Sequence, residues 1–362
     1  MADHAFSPWK VETRTRASSA FGLMALGVVI AAAAAPLFVS RSVIQDLFFI
    51  LTMLVLAQCW NLLAGYAGLV SVGQQAFVGF GAYTMFAVVI LAGLDPIVGI
   101  LLAGITASVL AIPVAFFAFR LQGAYFAIGT WVIAEVVRLL LAQWKALGGG
   151  TGTSLPSGAT REMFGVGLVS DWLGVRPSQA ADIVCYWLAL VLACATIGFI
   201  YKLLRSKQGL GLAAVRDNRE AARSVGVDPG WMKSVVYLAA ALVTGIAGAL
   251  IYVQKARISP DAAFSLTDWT AYVIFIVVIG GIGTIEGPIV GVIVFFILQN
   301  LLADYGSWYL LVLGLIGIIV MLFAPRGLWG LFTDRTGIQL FPVRRILTGA
   351  SSTKTTKGVP HG

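Results

Sequence analysis

The sequence predicts an all-α polytopic membrane protein of eight to ten transmembrane helices, some broken or re-entrant, with cytoplasmic termini. Composition is the first observation behind that class. Of 362 residues, 59% are hydrophobic and 11% charged, against about 45–50% and about 25% in soluble domains. Mean hydropathy is +0.93. So little charge cannot cover a water-soluble surface of this size, which argues against a soluble enzyme, a nucleic-acid-binding protein or a disordered regulator. The second observation is a series of ten apolar segments near the length of about 20 residues that crosses a bilayer. The third is the placement of Lys and Arg. The net charge of +8 sits on the flanks of apolar segments, as a topology signal does, so the partner it implies is the lipid bilayer and no nucleic acid.

Residues 1–19 read as a cytoplasmic tail. The first segment, 20–39, is longer than a signal peptide's core, and Phe38-Val39-Ser40-Arg41 is a poor cleavage site; it is expected to be an uncleaved helix. Segments 43–64 and 74–92 flank the glycine-rich Gly65-Tyr66-Ala67-Gly68. Segments 96–118 and 123–142 follow, then an outer loop, 145–180. Segment 181–203 leads into a basic inner loop, 204–233, and segment 234–254 leads out of it. Segments 268–283 and 287–303 are separated only by Gly280-Gly281-Ile282-Gly283-Thr284, and 307–324 is the last. The transmembrane unit is thus 20–332, and 333–362 is a second cytoplasmic tail. Glycine-interrupted segments such as the third, eighth and ninth are expected to be broken or re-entrant, which is tolerated only where protein or water covers the backbone. The glycine-rich stretches 65–83 and 279–291 occupy loosely matching places in the two halves, a possible mark of an internal repeat. With the N-terminus inside and ten alternating spans, seventeen Lys and Arg fall on the inner side and six on the outer, with Arg138 inside a span. That asymmetry supports an even number of crossings.

Residues for covalent chemistry are scarce. Cys59, Cys185 and Cys194 lie in apolar runs with no C-x-x-C pair, so no disulfide framework is implied. His4 and His361 are both in the tails, which sets aside metal clusters and His-based catalysis; no metal site, no catalytic residue and no cofactor is expected. Within the spans, Glu135 and Arg138 share one helix face at i, i+3 spacing. An unpaired charge in hydrocarbon costs at least about 2.5–3.5 kcal/mol, so they should pair, either beside the translocation path or as a structural pair. Asn61 ends the second segment, and Gln74 and Gln75 begin the third. They offer hydrogen bonds either to a solute or to backbone freed at the break. Gly73, Gly79 and Gly81 most simply permit close helix packing.

The inner loop is the most informative feature. Leu212 to Val225 favours one short helix, with Gly226 as its stop, and Asp228-Pro229-Gly230 as a turn. Such a helix suits docking to another protein, or the loop only fixes topology with its charges. Here the run Glu220-Ala221-Ala222-x-x-x-Gly226 resembles the EAA signature of ABC importer membrane subunits. The order Asn61-Leu62-Leu63-Ala64-Gly65-Tyr66-Ala67-Gly68, Gly79-x-Gly81-Ala82-Tyr83, Gly123-Ala124-Tyr125-Phe126, Gly148-Gly149-Gly150-Thr151-Gly152, Ser259-Pro260-Asp261, Gly280-Gly281-Ile282-Gly283-Thr284 and Ala324-Pro325-Arg326-Gly327 resembles the branched-chain amino acid permease family, its M-type member in particular. The resemblance covers about residues 43–332. It implies a non-enzymatic permease subunit of the bacterial cell inner membrane, carrying branched-chain or other hydrophobic amino acids by alternating access. Its implied partners are a second homologous permease, cytoplasmic ATPase subunits gripping Glu220, Ala221, Ala222 and Gly226, and a periplasmic substrate-binding protein. The sequence has no Gly-x-x-x-x-Gly-Lys-[Ser/Thr], the loop that cradles nucleotide phosphates, in keeping with borrowed ATP-driven work. A urea or short-chain amide permease of the same family is the alternative, and a self-sufficient channel or facilitator a further one.

Overall fold

The computed structural model describes residues 10–12, 16–302, 308–336, 340–341 and 346–348. Much of both expected tails, including His4 and His361, lies outside these residues, as do the end of segment 287–303 and the start of segment 307–324. The chain opens with strand β1 (Lys10–Glu12), α1 (Arg16–Ala34) and a 3-10 turn at Ala35–Leu37. Next come α2 (Arg41–Asn61), a π-helical turn at Leu62–Tyr66, α3 (Gln75–Ala92), α4 (Pro96–Ala118) and α5 (Ala124–Ala142). Strand β2 (Thr153–Ser154), α6 (Val166–Leu173), α7 (Pro177–Arg205), α8 (Lys207–Asp217), α9 (Arg219–Ser224) and α10 (Pro229–Lys255) form the middle. The last part holds strand β3 (Arg257–Ile258), α11 (Pro260–Ala263), a second π turn at Thr267–Ala271, α12 (Tyr272–Gly280), α13 (Glu286–Leu302), α14 (Trp308–Phe323), α15 (Gly327–Thr336) and strand β4 (Ile346–Thr348).

Every apolar segment read from the sequence falls on a helix. Among the described residues, eight helical stretches are long and apolar enough to cross a membrane, and Met24–Leu37 and Glu286–Leu302 are shorter apolar helices. The protein is therefore an all-α polytopic membrane protein within the expected range of spans. β1 pairs antiparallel with β4, Lys10 opposite Thr348, so the described segments nearest the two termini lie side by side.

Small residues build the core. α3, α4 and α10 pack on one another through glycine. A methyl group at Gly81 of α3 would collide with the Gly245 carbonyl of α10, and one at Gly245 would lie 2.5 Å from Ala107 Cβ of α4. Lipid supplies no hydrophobic drive between helices, so close backbone approach and dispersion must hold them. Gly79 faces the Phe264 ring and Gly73 the Thr130 carbonyl at equally close range. The packing role expected of Gly73, Gly79 and Gly81 is what the structure displays.

The two ends of the bundle differ. At the far end the 145–180 segment is not a free loop. β2 pairs with β3, Thr153 opposite Ile258, and Phe164 N donates to Asp95 Oδ2 at 2.7 Å. At the other end, called here the loop end, lie α8, α9, the π turn of 62–66 and the 281–285 break.

Candidate functional site

The site begins with α2. Gln58 and Asn61 are three residues apart and so share a face. At Asn61 the helix widens into the π turn, after which the chain continues as an irregular connection over 67–73. A break of this kind strands backbone groups that hydrocarbon cannot satisfy. Asn61 answers it from both ends of its amide: Nδ2 donates to Thr284 O at 2.8 Å and Oδ1 accepts from Gly283 N at 2.8 Å. Gln58 Nε2 donates to Ile285 O at 2.7 Å. One helix face therefore holds the second glycine break with three hydrogen bonds. Gly65 permits the approach, since a Cβ there would sit 2.6 Å from Gly283 N.

This connection is held against the bundle. Trp60 Nε1 donates to Ser71 O at 2.8 Å, and Val72 N donates to Thr130 Oγ1 at 3.1 Å. Gln74 Nε2 donates to Leu56 O at 2.9 Å, and Gln75 Oε1 accepts from Thr270 Oγ1 in the second π turn. Asn61, Gln74 and Gln75 are all buried. All three lie inside the protein, each with a bond to a different neighbouring helix or break. Gln58 and Thr270 belong to the same set and were not singled out from sequence. Gln58 had a readable signal, a second amide one turn before Asn61.

Glu135 and Arg138 pair as their spacing requires. Arg138 Nε lies 3.0 Å from both Glu135 carboxylate oxygens, and Nη2 lies 2.5 Å from Oε1. A third member joins them: Arg138 Nη1 donates to Asp261 Oδ1 at 2.6 Å. The cluster lies at the far end, where Asp261 opens α11. It is a surface feature, with the Glu135 and Asp261 side chains 45% and 84% exposed.

At the loop end the structure corrects one expectation. Leu212 to Val225 is not a single helix. Asn218 leaves helical geometry, and its Oδ1 accepts from Glu220 N and Ala221 N, both at 3.0 Å. A short polar side chain that caps the next helix competes with continuation of the last one. α8 therefore ends at Asp217 and α9 starts afresh. α9 closes as foreseen on Gly226, which has a φ of 85°. Gly226 N donates to Arg223 O and Val227 N to Ala222 O, both at 3.0 Å, the paired bonds of a Schellman end. Asp228 Oδ1 then accepts from Gly230 N at 2.8 Å and caps α10.

Of the four signature residues, Glu220, Ala221 and Gly226 face outward, whereas Ala222 is 2% exposed and turned onto the protein. Leu212 and Val215 are also buried, while Leu210, Val225 and Trp231 stand out at 65–75% exposure. Arg216 reaches inward from the last turn of α8, and its Nη1 donates to the carbonyl of Gly65 in the first π turn at 2.9 Å. Beside that contact is a cavity of about 490 Å³ lined by Gly68, Leu69 and Val70, by Phe119 and Phe126, and by Lys233 of α10 among others.

The glycine breaks, the two capped helices of the loop and the 67–73 connection all fall within one recognisable unit. A family profile described as "Branched-chain amino acid transport system / permease component" matches residues 42–324. The chain belongs to this permease family. The permease is 30% identical over 318 residues to the "High-affinity branched-chain amino acid transport system permease protein LivM" of Salmonella typhimurium, covering 84% of this chain and 74% of that protein. It is 29% identical to the protein of the same description from Escherichia coli, with the same two coverages. A "Probable branched-chain amino acid transport permease protein LivM" of Methanocaldococcus jannaschii is 28% identical over 237 residues, covering 63% of this chain and 64% of that protein. No solved structure matches the permease.

Proposed function

We propose that this permease is the M-type membrane subunit of an ATP-driven importer of branched-chain amino acids. It would work by alternating access, with ATPase subunits docked on the 204–233 loop in the cytoplasm. A second homologous permease would lie beside it in the cell inner membrane, and a periplasmic binding protein would deliver the solute. Both termini would then be cytoplasmic. The observation that carries the reading is the form of the loop: two short capped helices at a membrane protein's edge, displaying Leu210, Val225 and Trp231 to solvent. Large apolar side chains exposed on a polar loop mark an interaction surface. The signature residues Glu220, Ala221 and Gly226 are displayed with them, and Ala222 underpins the turn. Asn61, Gln74 and Gln75 shape the broken helices beside the path, and the Glu135–Arg138 pair stands at its outer end.

Reconstitution of the assembled importer in proteoliposomes tests this. Leucine, isoleucine and valine should accumulate only with ATP and binding protein, and urea and acetamide should not. Passage of solute through the permease alone, down its gradient, would make it a facilitator and defeat the proposal; ATP-driven uptake of urea in place of leucine would move it to the amide branch of the family.

A further inference from the structure

We infer that Arg216 is a positioning residue that ties the 204–233 loop to the wall of the 490 Å³ cavity, so that movement of the loop changes the shape of that cavity. The inference rests on the proposed docking of ATPase subunits on this loop.

Four observations place the residue in that role. Arg216 is at the end of α8, two positions before the Asn218 break between the loop's helices. Its Nη1 donates to Gly65 O at 2.9 Å, while Nε and Nη2 each lie 3.2 Å from Asp217 Oδ1. The guanidinium is thus oriented by one neighbour and committed to the backbone of the first π turn through another nitrogen. Gly65 is itself pressed against Gly283, and Asn61 bonds the same break. Finally, the Arg216 stem passes Gly68, which begins the cavity wall of Gly68, Leu69 and Val70.

The cavity lining also includes Gly230 and Lys233, at the start of α10 and joined to α9 by the Asp228 cap. Two parts of the lining are therefore linked to the same loop, Gly230 and Lys233 through the chain and Gly68 through Arg216, which passes it and bonds Gly65 three residues before it. Single π turns within helices recur at functional sites, and Gly65 lies in one. Pulling on Gly65 O acts on such a place. Arginine suits the task better than lysine because its planar fork can engage Asp217 and the carbonyl together.

The test uses the assembled importer carrying Cys59→Ala, Cys185→Ala, Cys194→Ser and Val70→Cys. Val70 is half exposed in the cavity wall. Labelling by a membrane-impermeant maleimide, applied from the cytoplasmic side, is compared with and without ATP. The rate should change severalfold with ATP when Arg216 is present. With Arg216→Gln the ATPase subunits should remain bound, the ATP-dependent change in labelling should vanish, and uptake should fall by roughly tenfold or more. Arg216→Lys should restore part of both. Full uptake and an unaltered labelling response in Arg216→Gln would overturn the inference, as would labelling that ignores ATP with Arg216 in place. Release of the ATPase subunits by Arg216→Gln would also overturn it, by making Arg216 part of the docking surface. Failure of the docking proposal itself has a different appearance: a Leu210→Asp variant that keeps its ATPase subunits and its uptake.

Discussion

The buried amides of α2 and α3 and the charged cluster on α5 both interrupt apolar segments with polar groups, and the bundle treats them in opposite ways. Gln58, Asn61, Gln74 and Gln75 are enclosed, and each donates or accepts across to another element. Glu135, Arg138 and Asp261 stay near the far surface and satisfy one another. The contrast follows from what each set must solve. Gln58 and Asn61 face a helix break, where they replace backbone bonds that lipid cannot supply, and Gln74 and Gln75 tie the start of α3 to α2 and to the second π turn. The charges stand where an unbroken helix nears its end, and they need only mutual neutralisation. One set therefore determines the local fold, and the other decorates a surface.

The sharpest break of that contrast is Asn61→Leu, which keeps the branching and heavy-atom count of the side chain and removes both hydrogen bonds. It strands Gly283 N and Thr284 O, each at a cost of about 1–3 kcal/mol when buried. A clear drop in thermal midpoint in detergent, with reduced membrane abundance, is the expected result. An unchanged midpoint would mean the break holds itself without α2.

The charged cluster should respond less, and unevenly. Arg138→Gln leaves two carboxylates unpaired, whereas Glu135→Gln leaves Arg138 bonded to Asp261. The first should therefore be the more harmful, by about 0.5–1 kcal/mol for so exposed a group. Restoring balance with Glu135→Gln in the Arg138→Gln background should recover part of the loss, a non-additivity that a double-mutant cycle in detergent measures. Equal, additive effects would remove Asp261 from the account and the coupling with it.

Much of this was legible in the sequence. Apolar segment lengths gave the helices, because a bilayer imposes length more strictly than water does. The glycine runs at 65–68 and 280–284 gave the breaks. Glu135 with Arg138 gave the ion pair, since helical spacing alone brings them together. The partner Asp261 was out of reach, being far along the chain and placed by the pairing of β2 with β3. Asn218 was readable but overruled: two alanines on either side argue for helix, and one capping amide breaks it. The inward face of Ala222 and the reach of Arg216 to Gly65 depend on how the loop lies on the bundle, which no local pattern encodes.

The claim on which the rest depends is that the loop end is gripped and moved by ATPase subunits. Ala221 is exposed on α9 beside the buried Ala222, so a bulky residue at 221 disturbs the outer face and leaves the turn beneath it intact. The direct measurement is co-purification of ATPase subunits together with ATP-driven leucine uptake by Ala221→Trp in the assembled importer. Normal membrane abundance with loss of both is the predicted result. Full uptake with the ATPase subunits still bound would contradict the account.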